Sequence, residues 1–370
     1  MKNKKFFKRK KRQKLKNYFL IKQKSKISKV FKKRNSTIKK INFGIEFLRM
    51  ILSLLVVLVH NFNYRNTKLQ TFPIRNLPYY IPTFLIISFY FSFNTFASRN
   101  IEKMKQRFIR ILFPYIGWPI IFWIRGIYLH YIYGRNENIL LKNLFYQLLI
   151  GDGTYGIFWF LFNLIFCSFF FGIIILLFKQ KYLFVLALVY LACYDFGHSK
   201  YHKKFLQLYN KPIRHSIGPI AKSFTYCFTG FFLRSINILK KYYKNRIVFM
   251  LLYGSILFII LHYNAITRIP SYFEGIFISL VAVSAFSFFA MIPFDIFENR
   301  IIIFFLKQIS SYTGGVYYLH PKVSDIFNKY FISIRRRTFK GCLLLYIICY
   351  LICFIGANAF RKSNIKFLFY

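Results

Sequence analysis

From residue 44 onward the chain repeats one pattern, an apolar run of about 20 residues closed by a short cluster of charged or turn-forming positions. A helix needs roughly 20 mostly apolar residues to cross the hydrocarbon core of a bilayer. Ten such windows fit, at about 45–62, 79–97, 109–129, 156–178, 182–196, 217–233, 247–262, 273–294, 302–320 and 341–360. The pattern predicts an all-α fold, a polytopic transmembrane helix bundle of about ten spans over residues 41–370. An even number of spans places both termini on the same side.

The first window, EFLRMILSLLVVLVHNF, interrupts its apolar pattern with Glu46, Arg49 and His60. An ionisable side chain at the centre of a membrane helix costs about 2.5–3.5 kcal/mol on an insertion scale, so such groups normally face protein or a wet cavity. His60 follows Arg49 by 11 residues, which at 100° each is about 20° past three full turns. Both therefore lie on one stripe, about 16 Å apart along the axis, with Ser53 and Val56 between them. Glu46, one turn before Arg49, can neutralise it. Such a stripe describes one wall of a slot entering from the cytosol. Arg49 snorkelling to headgroups and His60 as an interfacial histidine are the simpler readings of each residue taken alone.

Composition then changes the picture of the tail. The chain carries 56 Lys and Arg against 9 Asp and Glu, a net charge of +47, a balance that in a soluble protein suggests nucleic-acid binding. Nineteen of the basic residues fall in residues 1–40, with no acidic residue and no apolar periodicity. That segment reads as a disordered cytosolic arm whose partners are anionic membrane lipids, nucleic acid being unlikely. It is too long and basic for a signal peptide, and HNFNYRN after the first apolar run is no small-residue cleavage site, so that run is expected to remain as a helix. Outside the tail the basic residues divide evenly between the two sides. Cytosolic termini therefore rest on the tail and on the basic stretch RNIEKMKQRFIR, residues 99–110.

That stretch carries the second candidate pair. Arg107 and Arg110, three residues apart at the cytosolic start of the third window, are placed to bind phosphate in a fork geometry that lysine cannot match, or to anchor the helix by charge alone. The six cysteines all fall in predicted spans without a CxxC pair and read as packing residues. Asp195, His198 and His202 lie in a Lys-rich outer loop and read as solvated, so no metal site is expected. Glu274, Asp152 and Asp325 sit near window boundaries with no evident partner.

Taken together these residues carry a resemblance. Arg49, ten intervening residues and His60, preceded by GIEFLR, resemble the Arg-x10-His signature of the acyltransferase family 3 membrane proteins. Arg107 and Arg110 before FPY resemble the family's Arg-x-x-Arg motif. IPTFLIISFYF at 81–91, GIFWFLFNL at 156–164 and GGVYYLHP at 314–321 follow in the family's order. The resemblance implies transfer of an acyl group, usually acetyl, from cytosolic acyl-CoA as co-substrate to a hydroxyl of a glycan or lipid-linked acceptor. It needs no tightly bound cofactor and fits a multi-pass protein of the plasma or inner membrane. It assigns His60 as base, Arg49 as its motif partner, and Arg107 with Arg110 to the donor. An acyl-imidazole on His60 is the competing mechanism. His320 matches the family's C-terminal histidine; the simpler reading is an interfacial residue where Pro321 ends the helix. Trp159 lines the slot or belongs to an aromatic belt. Phe89 stands after Ser88 where the family has glycine, which would narrow the acceptor side. Two other classes share these features: a flippase of a lipid-linked sugar using the same slot without bond formation, and a scaffold recruiting a partner through its tail.

Overall fold

The computed structural model describes residues 43–61, 80–134, 141–150, 158–198, 211–237, 243–266, 274–292, 306, 308–330 and 338–370. The basic tail, residues 1–40, lies outside them, as do Asp152 and His202. The described residues contain helices and no strand. In chain order these are α1 (Phe43–Asn61), α2 (Tyr80–Ala97), α3 (Ile101–Tyr133), α4 (Leu141–Ile150), α5 (Trp159–Phe178), α6 (Tyr182–His198), α7 (Lys211–Ser235), α8 (Arg246–Ile266), α9 (Glu274–Met291), α10 (Thr313–Tyr330) and α11 (Phe339–Ala359), followed by a short 3₁₀ turn, Asn364–Leu368. Among the described residues five helices are long and apolar enough to cross a membrane: α1, α2, the Ile101–Ile132 part of α3, α5 and α11. Shorter apolar stretches occupy α6, α8 and α9.

Two local features depart from the predicted windows. The stretch 101–110, mostly outside the third window, forms the first turns of α3. Arg99 turns the chain with φ 51°, and the Asn100 side chain then accepts from the backbone N–H of Lys103 at 3.0 Å, an N-cap that starts a helix eight residues before the expected span. At its other end α3 stops at Gly134, whose φ of 61° is the left-handed cap and whose N–H reaches the His130 carbonyl. In the ninth window, α10 does not end at Pro321 but runs on to Tyr330. Helix α4 lies on no predicted window, being too short for the span criterion.

α2 and α7 pack closely. A side chain at Gly230 of α7 would collide with the backbone carbonyl of Ile86 in α2, so the absence of a Cβ permits the close crossing. Around this crossing Phe89 and Phe96 of α2, Phe171 of α5 and Phe231 of α7 form an aromatic cluster. Ring centroids are 4.7 Å apart for Phe89 and Phe171, and 5.5 Å for Phe171 and Phe231. α1 packs against α10, α11, α9 and α2. The outward faces of α5, α8 and α11 carry exposed Phe169, Leu177, Leu251, Phe258 and Ile355, as a lipid-facing surface requires.

Candidate functional site

The stripe on α1 meets α10 and α11. Glu46 accepts from Arg49 Nη1 at 3.0 Å, as the one-turn spacing predicts. Arg49 Nη2 continues to Thr313 Oγ1 on α10 at 3.4 Å, while the Thr313 hydroxyl donates to the Ser310 carbonyl. Ser53 is buried and donates to the Met50 carbonyl at 2.8 Å. A serine hydroxyl has one proton, so the Tyr346 hydroxyl of α11, 3.0 Å away, is the donor to Ser53 Oγ. Farther along, the His60 ring lies 5.2 Å from that of His320 on α10, and Ser324 of α10 donates to the Asn61 side-chain carbonyl. These contacts run in the same order along both helices, Thr313 to Ser324 beside Arg49 to Asn61, so α1 and α10 are parallel and in register.

His320 owes its orientation to the residue after it. In a helix the N–H at position 321 would donate to the carbonyl of Tyr317, but proline has no N–H. The Tyr317 carbonyl is instead 2.7 Å from His320 Nδ1. A carbonyl can only accept, so Nδ1 carries the proton, and in the neutral ring Nε2 holds a bare lone pair. His320 is fully buried, and its Nε2 has no hydrogen-bond partner among the described residues. His60 beside it is exposed on its other side. The arrangement is one imidazole locked in tautomer within the bundle and a second, exposed one next to it.

Arg107 and Arg110, expected as a phosphate fork or as a charge anchor, have different surroundings. Arg107 turns into the bundle, where Nη2 donates to Ser88 Oγ at 3.0 Å and the guanidinium sits 5.4 Å from the Phe89 ring centre and 5.7 Å from that of Phe96. Its Nε is buried without a partner among the described residues. Arg110 is exposed, 5.9 Å from the Phe367 ring in the C-terminal 3₁₀ turn. Phe89 is packed under Arg107. Trp159 opens α5 half-buried, and its link to the histidines is indirect: its neighbour Phe160 lies 5.4 Å from the Tyr317 ring.

Sequence reasoning missed Thr313 and Tyr346, hydroxyl residues far along the chain with no motif of their own beside the stripe. It also left Asp325 without a partner, whereas its carboxylate lies 3.9 Å from the Lys322 ammonium. Among the described residues no group of three or more potential metal ligands occurs.

Comparison with protein-family models matches residues 42–358, from the start of α1 to the end of α11, to the acyltransferase domain of family 3. The chain belongs to acyltransferase family 3. No curated protein and no solved structure matches it. The family and the five apolar helices make it a membrane acyltransferase, an integral membrane protein. The match stops before the C-terminal turn, so two contacts of the acyltransferase, Arg110 with Phe367 and the Trp118 indole N–H to the Leu368 carbonyl at 2.9 Å, involve residues beyond the family domain.

Proposed function

We propose that this acyltransferase moves an acyl group, acetyl in the simplest case, from cytosolic acyl-CoA to a hydroxyl of a glycan or glycolipid, with His60 as the base. In this reading the ten helices on the ten apolar windows are spans, both termini are cytosolic, and the membrane is the plasma or inner membrane. The observation that carries the proposal is the pairing of His60 with a buried, tautomer-locked His320. A thioester is already activated, so the reaction chiefly needs removal of the hydroxyl proton as oxygen attacks the acyl carbon. His60 takes that proton, the C–S bond breaks as the ester forms, and the CoA thiolate recovers the proton from the imidazolium. The lone pair on His320 Nε2, beside His60, stabilises the imidazolium while it lasts. Attack by His60 itself, giving an acyl-imidazole, remains the competing route.

On the donor side Arg107 and Arg110 lie at the cytosolic end of α3, where the anionic part of CoA would arrive. Arg49, held by Glu46, ties α1 to Thr313 of α10 and so keeps the two histidines in register. The test is transfer of labelled acetyl from acetyl-CoA to candidate glycans by purified protein. His60→Ala should lower kcat by at least 100-fold, the lower range for loss of a positioned base, with the protein still folded. An unchanged rate in His60→Ala would exclude His60 as base. Glycolipid movement by protein without acyl-CoA would replace the reading with transport.

A further inference from the structure

Two asparagines in the described helices return a hydrogen bond to the backbone one turn back: Asn61 Nδ2 donates to the Val57 carbonyl at 2.9 Å and Asn358 Nδ2 to that of Phe354 at 2.8 Å. Asn163 of α5 does not. It is fully buried, and neither its Nδ2 nor its Oδ1 has a hydrogen-bond partner among the described residues. An amide with both ends unsatisfied in a helix as apolar as WFLFNLIFCSFFFGIIILLF is a cost without a return in the protein alone.

Its position gives it a use. Phe160, Asn163, Cys167 and Phe171 share one face of α5, since their spacings return to within about 60° of Phe160. Phe160 packs on Tyr317, whose carbonyl fixes His320. Phe171 packs on Phe89, over which Arg107 sits. Along the helix Asn163 is about 4.5 Å from Phe160 and about 12 Å from Phe171. It thus lies between the levels of the histidine pair and of Arg107, two places that each hold another buried nitrogen without a partner, His320 Nε2 and Arg107 Nε.

We propose that Asn163 is a donor-binding residue whose side-chain amide pairs with a secondary amide in the arm of the acyl donor; this rests on the acyl-CoA reading above. An asparagine amide presents a donor and an acceptor side by side, and a secondary amide presents the complementary acceptor and donor. An acyl donor with its phosphates at Arg107 and its thioester at His60 passes Asn163 with its amide-bearing arm. An acceptor hydroxyl, arriving at the exposed side of His60, does not. Asn163 then measures off the arm and sets which thioester reaches the base.

The test compares wild type with Asn163→Leu, an apolar substitution of similar size, and Asn163→Ala in case the bulkier side chain disturbs folding. Acetyl-CoA is the donor, and pantetheine or adenosine 3′,5′-bisphosphate the inhibitor. The expected result is a rise of about 10-fold in the acetyl-CoA KM and in the pantetheine Ki. The bisphosphate Ki, the acceptor KM and the melting temperature should stay as in wild type or, for the last, rise. Unchanged pantetheine Ki and acetyl-CoA KM in either folded variant would overturn the role of Asn163 and leave the acyltransferase reading standing. So would failure of pantetheine to inhibit wild type. Wild type that transfers no acyl group from acetyl-CoA or from longer acyl-CoA thioesters would overturn the acyl-CoA reading itself, and this inference with it.

Discussion

Two regions of the bundle handle buried polarity in opposite ways. Along the α1–α10–α11 seam four polar side chains of α1 each meet one from another helix: Arg49 with Thr313, Ser53 with Tyr346, His60 with His320, Asn61 with Ser324. Beneath α3, by contrast, a single guanidinium is held by one serine hydroxyl and two aromatic faces, with its Nε left over. Where polar groups come in pairs, one member can be lost at a modest cost, because interhelical hydrogen bonds in membranes average only about 0.6 kcal/mol. A lone cation in an aromatic nest has no second partner to fall back on, and its removal opens a hole among rings.

The largest expected effect tests that contrast inside the Arg-x-x-Arg motif. Arg107→Ala should raise the donor KM by about 100-fold and lower the melting temperature, since it removes a charge-assisted hydrogen bond and two cation–ring contacts. Arg107→Lys should recover little, because an ammonium cannot lie flat between Phe89 and Phe96. Arg110→Ala, at an exposed position, should change the same KM by less than about 5-fold. Equal effects for the two arginines, measured with acetyl-CoA, would erase the distinction. Next comes Pro321→Ala. An N–H at 321 would compete for the Tyr317 carbonyl and free His320 to change tautomer. kcat should fall by about 10-fold while the melting temperature holds or rises, as expected when a helix proline is removed. The smallest effect belongs to Ser53→Ala, which leaves the buried Tyr346 hydroxyl without its acceptor. A loss of about 0.5–1.5 kcal/mol in stability, read by chemical denaturation, should come with activity within about 2-fold of wild type.

Much of this was legible in the chain. The stripe from Arg49 to His60 follows from spacing alone, as does the Glu46–Arg49 pair, because both depend on the geometry of one helix. The bounds of α2 and α11 fall within two residues of their windows since turn and charged residues close the apolar runs. What spacing cannot reach is which helices meet. Thr313 and Tyr346 lie 264 and 293 residues from the groups they bond, and no local periodicity encodes such a pairing. The different settings of Arg107 and Arg110 were hidden for a similar reason: three residues on a helix put them on adjacent faces, and only the neighbours of each face decide that one is partly buried. Pro321 misled through its usual meaning, helix termination, when the histidine before it takes over the bond it forfeits. Asn163 was visible as one amide in an apolar run, a signal easily passed over beside the tryptophan and phenylalanines around it.

The parallel register of α1 and α10 also has a consequence in time. Neighbouring helices joined by a short loop are antiparallel, so a parallel pair separated by 264 residues cannot form until the chain between them has been made. At about 5–20 residues per second that interval is about 13–50 s. During it Arg49, Ser53 and His60 are already in α1 while Thr313, His320 and Tyr346 do not yet exist. The histidine pair is therefore among the last parts of the protein to be assembled, and the nascent enzyme cannot act before nearly all of its bundle is in place.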